Sequence, residues 1–309
     1  MTAVPARGAD RGPGTLGAWW LASRPRTLPV SLVPVLVGSA LAYAGEGRFR
    51  WSVLLVAALC AALIQIATNL HNDVADYERG ADDPATRVGP RRATAEGWLT
   101  PAQVRRGAAV VFATAFCIGQ YLVYLAGWPI FVVGVVSILA GYAYSSGPRP
   151  IAYTSLGEFF VLVFFGWVAV GGTWFAHTQF APGLVVMLAG AAVGLPAAAV
   201  LVVNNTRDAE DDRRAGRRTF PVVYGTSASR LEYGAFVVAS PLLAAWASLE
   251  TGAGAWALVC LAVLPAAARL VSAFGRAADG NDYNRLLEAT ARYGLLTGTV
   301  LVAVLVITA

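Results

Sequence analysis

The chain has 309 residues, 57% hydrophobic and only 13% charged, about half the charge that a water-soluble domain carries, so most of its surface is expected to face lipid. All 23 basic residues are arginines, which excludes lysine Schiff-base chemistry and keeps the net charge of +5 constant across the physiological pH range. Cys60, Cys117 and Cys260 each sit alone in an apolar run, so neither a disulfide framework nor a zinc site is expected.

Residues 1–17, rich in Gly, Pro and Arg, read as a disordered cytoplasmic tail and not a signal peptide. Residues 18–309 read as a single transmembrane domain. Ala18 to Ser23, with Trp19 and Trp20 ahead of Arg24 and Arg26, resembles an interfacial lead-in. Apolar runs of bilayer-crossing length follow near 28–44, 52–70, 107–126, 128–144, 156–176, 183–203, 233–249, 254–272 and 289–308. The expected fold is therefore all-α: a polytopic bundle of about nine helices. The arginines collect in the tail and around the loops after even-numbered spans, with Arg48 and Arg50 as exceptions. The positive-inside rule then puts the N-terminus in the cytoplasm and the C-terminus outside, in a cell (inner) membrane. No separate basic domain accompanies the pI of 9.3, so nucleic acid is not an expected partner.

Two stretches break the apolar monotony. Asn69, Asn72, Asp73, Asp76, Glu78, Asp82 and Asp83 crowd behind the second span, and Asn204, Asn205, Asp208, Glu210, Asp211 and Asp212 behind the sixth. Together they hold nine of the 18 acidic residues, both on the expected cytoplasmic side. If the second span continues as a helix, Asp73 and Asp76 share a face with Asn69 and Asn72, and Asp208 and Asp212 are likewise one turn apart. Two such faces opposed make an oxygen-rich cup of the kind magnesium prefers, with one or two carboxylates and substrate phosphate oxygens completing its shell. Arginines interleave with the acids at Arg79, Arg87, Arg91, Arg92, Arg207, Arg213, Arg214, Arg217 and Arg218, with Arg149 in the loop after the fourth span. Acid ringed by arginine suits a metal carrying a diphosphate. Because the cup opens from a bundle in lipid, the remainder of that ligand is expected to be apolar: a prenyl diphosphate. The bland alternative, solvated topology-setting loops, fits single arginines but not acids at matched helical spacing.

The pattern Asn72-Asp73-x-x-Asp76 with Asp208-x-x-x-Asp212 resembles the two Asp-rich motifs of the UbiA-type intramembrane prenyltransferases. The wording of Arg24-Pro-Arg-Thr-Leu-Pro29, Asn69-Leu-x-Asn-Asp73, Gly80-Ala-Asp82 and Arg87-Val-Gly-Pro-x-Arg92 is similar to their 1,4-dihydroxy-2-naphthoate (MenA-like) branch. Gly147-x-Arg-Pro150, Leu156-Gly-Glu-x-x-Val-x-Val-Phe-Phe-Gly166 and Asn204-Asn-x-Arg-Asp208 continue the likeness.

The resemblance implies a central cavity open to the cytoplasmic face and laterally to lipid. It also implies that Asp73, Asp76, Asp208 and Asp212, helped by Asn69 and Asn72, hold two magnesium ions on a polyprenyl diphosphate. Arg87, Arg149, Arg207 and Arg217 would neutralise the leaving diphosphate, Arg149 acting in catalysis. Gln65, Tyr144 and Glu158 are expected near the aromatic acceptor or the allylic cation. The branch implies transfer to 1,4-dihydroxy-2-naphthoate with decarboxylation, as in menaquinone biosynthesis. Another aromatic acceptor, such as a 6-carboxylated naphthoate or a phenol, stays open. From a different class, a transporter or cation-binding membrane protein would carry ionisable groups at the midplane, and the spans here are nearly free of them. His71 and His177 are expected to be structural or solvated.

Overall fold

The computed structural model describes residues 13–80 and 89–309. Among them every regular element is helical, and nine helical segments are long and apolar enough to cross a bilayer. The first joins α1 (Thr15–Ser23) to α2 (Leu28–Glu46) through a break at Arg24, whose φ of 52° is left-handed. The interfacial lead-in is therefore a helix, and it begins three residues inside the stretch read as tail. Then come α3 (Trp51–Glu78), α4 (Pro101–Ala126) and α5 (Trp128–Ser145). The fifth span is composite: α6 (Gly157–Val161), a π-helical segment (Leu162–Val168) and α7 (Ala169–Thr178). α8 (Leu184–Arg207) breaks at Asp208 into the short α9 (Ala209–Arg214). α10 (Phe220–Glu250) starts with one turn that bends at Gly225, φ 84°. A 3-10 segment (Gly254–Val263) runs into α11 (Leu264–Arg276), and α12 (Gly280–Ile307) closes the chain.

α8 is the axis of the bundle: 72% of its apolar window is buried, against 17% for α4. In lipid there is little hydrophobic drive between helices, so close packing must supply the attraction, and small residues allow it. Gly166 shows this. A Cβ there would lie 2.7 Å from the Gly190 carbonyl oxygen, so the π-helical segment and α8 meet backbone to backbone. The outward faces carry Leu55, Leu59, Leu139, Leu231, Leu242 and Leu258, all exposed, as a lipid-facing surface requires.

Two buried prolines show how the bundle accounts for its backbone polar groups. Pro196 in α8 has no N–H to give the Ala192 carbonyl, and the Ser240 hydroxyl of α10 donates to that oxygen at 2.6 Å. Pro241 in α10 likewise leaves the Val237 carbonyl unclaimed, and the Tyr293 hydroxyl of α12 donates to it at 2.7 Å. With no water in the hydrocarbon region, each such bond offsets a cost of several kcal/mol. At the end of the bundle remote from the acidic stretches, His177 is 1% exposed. Its Nδ1 accepts from the Arg50 backbone N–H at 3.3 Å, so its Nε2 is left to donate to Ser39 Oγ at 2.9 Å. It is structural. His71 pairs with Ser146 at 2.7 Å and stacks on Tyr142.

Candidate active site

A cavity of about 1610 Å³ runs through the bundle. Its lining follows α5 from Ser145 to Ile130 and the composite span from Phe160 to Ala176, roughly 22 Å of helix in each case. That is most of a ~30 Å hydrocarbon core. The long part is apolar, and the mouth is polar.

α3 continues helically to Glu78, as the acidic spacing requires, and presents Gln65, Asn69, Asn72 and Asp76 to the cavity. Steps of four, three and four residues keep these within about 60° of one another around the helix. Asp73 sits about 60° beyond Asp76, and that rotation takes it out of the lining. It is 2% exposed, and its two carboxylate oxygens accept the backbone N–H groups of Ala93 and Thr94, each at 2.9 Å.

The second stretch arrives from α8. The Asp212 N–H donates to the Asp208 carbonyl at 2.8 Å, so the four-residue spacing survives the break, and Asn204, Asn205, Asp208, Asp211 and Asp212 all line the mouth. The two stretches meet across Arg217, which donates to Asp76 Oδ1 at 2.7 Å and lies 3.5 Å from Asp212 Oδ1. Its guanidinium also lies over the Tyr153 ring at 4.3 Å. Arg92 donates to the other oxygen of Asp76 at 3.0 Å. Burial pushes the Asp212 carboxyl up to about 6, against the opposing charge of Arg217. Keeping that carboxylate ionised costs free energy that a neighbouring cation relieves.

The other expected residues divide. Asn69 donates to the Ser23 carbonyl at 3.0 Å and to Thr27 at 3.1 Å, and accepts from Gln65 at 3.3 Å, so it ties α3 to the Arg24–Thr27 bend. Arg207 forks onto Asp208 with two bonds of 2.7 Å and also holds Asn204 and Asn284, each at 2.8 Å. With 1% side-chain exposure, it braces the mouth. Arg149 is exposed in its loop, outside the lining, and Arg87 lies outside the described residues. Tyr144 is on the wall, beside Phe160 and Phe164 in an aromatic row. Glu158 is one layer behind: it accepts from Asn205 Nδ2 at 2.7 Å, while Asn205 itself reaches the cavity.

Arg92, Tyr153 and Asn284 belong to the site by their contacts with Asp76, Arg217 and Arg207 and were not among the expected site residues. Arg92 was present in a quoted motif, but its partner Asp76 is 16 residues away and nothing in the spacing pairs them.

The donor set fits a divalent cation. Asn72 lines the cavity, and its buried Oδ1 has no hydrogen-bond partner among the described residues. Asp76, Asp208 and Asp212 surround the same mouth. Among the described residues no group of three or more His, Cys, Asp or Glu is gathered closely enough to hold an ion by itself, so water or substrate phosphate oxygens would have to complete a magnesium shell.

Residues 31–306 match the model of the UbiA prenyltransferase family. The chain is 35% identical to the 1,4-dihydroxy-2-naphthoate octaprenyltransferase of Escherichia coli, over 92% of this chain and 94% of that protein. It is 34% identical to the enzyme of that name from Mycobacterium tuberculosis, over 88% and 91%. The fold is similar to the apo structure of a UbiA homolog from Aeropyrum pernix, with a TM-score of 0.68, 18% identity, and coverage of 92% of this chain and 98% of that one. It is also similar to a UbiA homolog from Archaeoglobus fulgidus bound to DMAPP and Mg2+, with a TM-score of 0.61, 14% identity, and coverage of 91% and 99%.

Proposed function

This chain belongs to the UbiA prenyltransferase family, and from that premise we propose that it moves a polyprenyl group from its diphosphate to 1,4-dihydroxy-2-naphthoate. The observation that carries the reading is the cavity itself: a long apolar run ending at a mouth where two Asn/Asp stretches face each other across Arg217. The relatives named as 1,4-dihydroxy-2-naphthoate octaprenyltransferases support that acceptor, and the homolog bound to DMAPP and Mg2+ supports a divalent metal.

Asn72, Asp76, Asp208 and Asp212 would hold magnesium, two ions in our reading. Bound there, the metal would polarise the diphosphate and offset the charge that develops on it as it leaves. Arg92 and Arg217, now on Asp76, are placed to turn part of their charge to the diphosphate oxygens. The apolar wall holds the prenyl chain, while Tyr144, Phe160 and Phe164 shield the allylic cation at C1 from water and face it with aromatic π density. The electron-rich acceptor ring then bonds to C1. Loss of the ring carboxylate as carbon dioxide returns an electron pair to the ring, so no nucleophilic side chain is required. By the arginine distribution, the mouth faces the cytoplasm.

Glu158 acts on the acceptor through Asn205 in this reading. Its carboxylate takes the Asn205 NH2, which leaves the Asn205 carbonyl for an acceptor hydroxyl. Glu158→Ala is expected to raise the acceptor KM by about tenfold, the worth of one hydrogen bond to a charged group, with the donor KM unchanged. Glu158→Gln, which still offers Asn205 a carbonyl oxygen, recovers most of the loss. An acceptor KM that stays at the wild-type value in Glu158→Ala would show that Asn205 does not contact the acceptor.

The reading as a whole is tested with purified protein in detergent, magnesium and a polyprenyl diphosphate. 1,4-Dihydroxy-2-naphthoate and other aromatic acids are offered in parallel, and product masses are followed. A prenylated, decarboxylated naphthoquinol formed only with magnesium is the expected product. Prenylation of a different acid moves the acceptor assignment, and no consumption of diphosphate with any acceptor overturns the reading.

A further inference from the structure

We propose that Asp73 is not a metal ligand but the positioning residue that anchors the backbone at Ala93 and Thr94, ahead of α4, so that Arg92 stands against Asp76 at the cavity mouth. The proposal rests on the reading of Asp76 as part of the diphosphate and metal site. Asp73 and Asp76 belong to one acidic motif and one helix, yet their surroundings are opposite. Asp76 borders the cavity and is gripped by two arginines. Asp73 is outside the lining, 2% exposed, and each of its oxygens takes one of two consecutive backbone N–H groups, Ala93 and Thr94.

Two charge-assisted bonds to adjacent amides fix both the position and the direction of the backbone at that point. The same spot is held by apolar packing: Leu70 and Val74 of α3, Ala18 and Ala22 of α1, and Val104 and Ala108 of α4 enclose Ala93 and Leu99. One residue before the anchored amides, Arg92 turns inward, 7% exposed, and donates to Asp76 Oδ2 at 3.0 Å. Gly89 and Pro90 continue the segment along the lining. A single helical stretch thus supplies both the acid that faces the substrate and the acid that holds the arginine next to it.

This arrangement separates two quantities that a metal-ligand role would join. A ligand lost from the metal changes the magnesium requirement. An anchor lost from the segment displaces Arg92 and weakens the grip on the diphosphate, with the magnesium requirement intact. Asparagine at position 73 offers one carbonyl oxygen and turns an NH2 toward the second backbone N–H, so one anchor bond becomes a repulsion.

The experiment compares Asp73→Asn, Arg92→Ala, the double variant and Asp76→Asn in the full-length protein in detergent. It reads donor KM, the magnesium concentration for half-maximal rate and, in the variants that keep Arg92, the rate of tryptic cleavage after that residue. For Asp73→Asn, donor KM is expected to rise about tenfold, the worth of a charge-assisted bond, with the magnesium dependence of the wild type and faster cleavage after Arg92. If Asp73 acts through Arg92, the double variant has the donor KM of Arg92→Ala alone, a non-additivity that general destabilisation does not produce.

A shift in magnesium dependence matching that of Asp76→Asn, with cleavage unchanged, would overturn the proposal and make Asp73 a ligand. If Asp73→Asn does not fold, Ala93→Pro removes one donor from the segment and leaves the carboxylate in place. A raised donor KM at unchanged magnesium dependence then supports the anchor, and an unchanged donor KM overturns it. Cleavage needs no turnover, so a wild-type protein that transfers no prenyl group would sink the functional reading without deciding the anchor.

Discussion

Replacing Asp76 with asparagine is expected to lower kcat/KM for the polyprenyl diphosphate by about 10³-fold, the scale on which removal of a preorganised charge-stabilising group acts. Two arginines hold Asp76, Arg92 on one oxygen and Arg217 on the other. It is 6% exposed, so its charge is little screened by water. Asparagine keeps the shape and one acceptor oxygen, and loses the second oxygen and the negative charge that attracts the magnesium. The cost to the fold is separate. Alanine would leave two buried guanidinium groups short of a partner, at about 3–5 kcal/mol, whereas asparagine limits that penalty. The check is a steady-state assay beside a thermal midpoint and a gel-filtration profile in detergent. A folded variant of near wild-type rate would remove Asp76 from the site.

The second large effect concerns length. Gly134 lines the cavity in α5, eleven residues from Ser145, or about 16 Å along the helix. A Cβ built on Gly134 meets nothing within 4 Å, so a side chain there enters open space without moving the backbone. Gly134→Phe should therefore divide the cavity and leave its mouth intact. Long donors would have to displace the ring at about 1–3 kcal/mol, one to two orders of magnitude in kcat/KM. Donors short enough to end between Gly134 and the mouth should keep their turnover within about twofold, a difference under 0.5 kcal/mol. The measurement is a series of prenyl diphosphates of increasing length with wild type and variant. A uniform loss across the series would mean that the prenyl chain does not run along α5.

Much of this was legible in the linear chain. The nine apolar runs of bilayer length are helical segments among the described residues, and the Asn/Asp stretches came to lie at one end of the bundle, because hydropathy and helical spacing are local properties. The sequence offers Tyr144 no partner, and its place in an aromatic row on the cavity wall depends on Phe160 and Phe164 from another span. Arg149 and Arg207 show the limit from the other side. Both are arginines near an acidic stretch, yet one is exposed and the other is spent on Asp208, Asn204 and Asn284. No local pattern separates them, because the partners are set by chain segments far away in sequence.

Composition, hydropathy and helical spacing were enough to read the solvent this protein lives in, the number of its apolar runs, the end that carries its charge and the spacing of its acids. Each of these follows from transfer free energy or from helical periodicity, and both act over a few turns. What each acid touches came from tertiary packing. A rotation of about 60° around α3 turns Asp76 to the cavity and Asp73 to the backbone of Ala93 and Thr94. Likewise only the packing of α10 and α12 supplied Ser240 and Tyr293 to the carbonyls that Pro196 and Pro241 left unpaired. The physical reason is common to both: a polar group buried away from water must find a partner, and in a bundle that partner comes from whichever helix lies alongside.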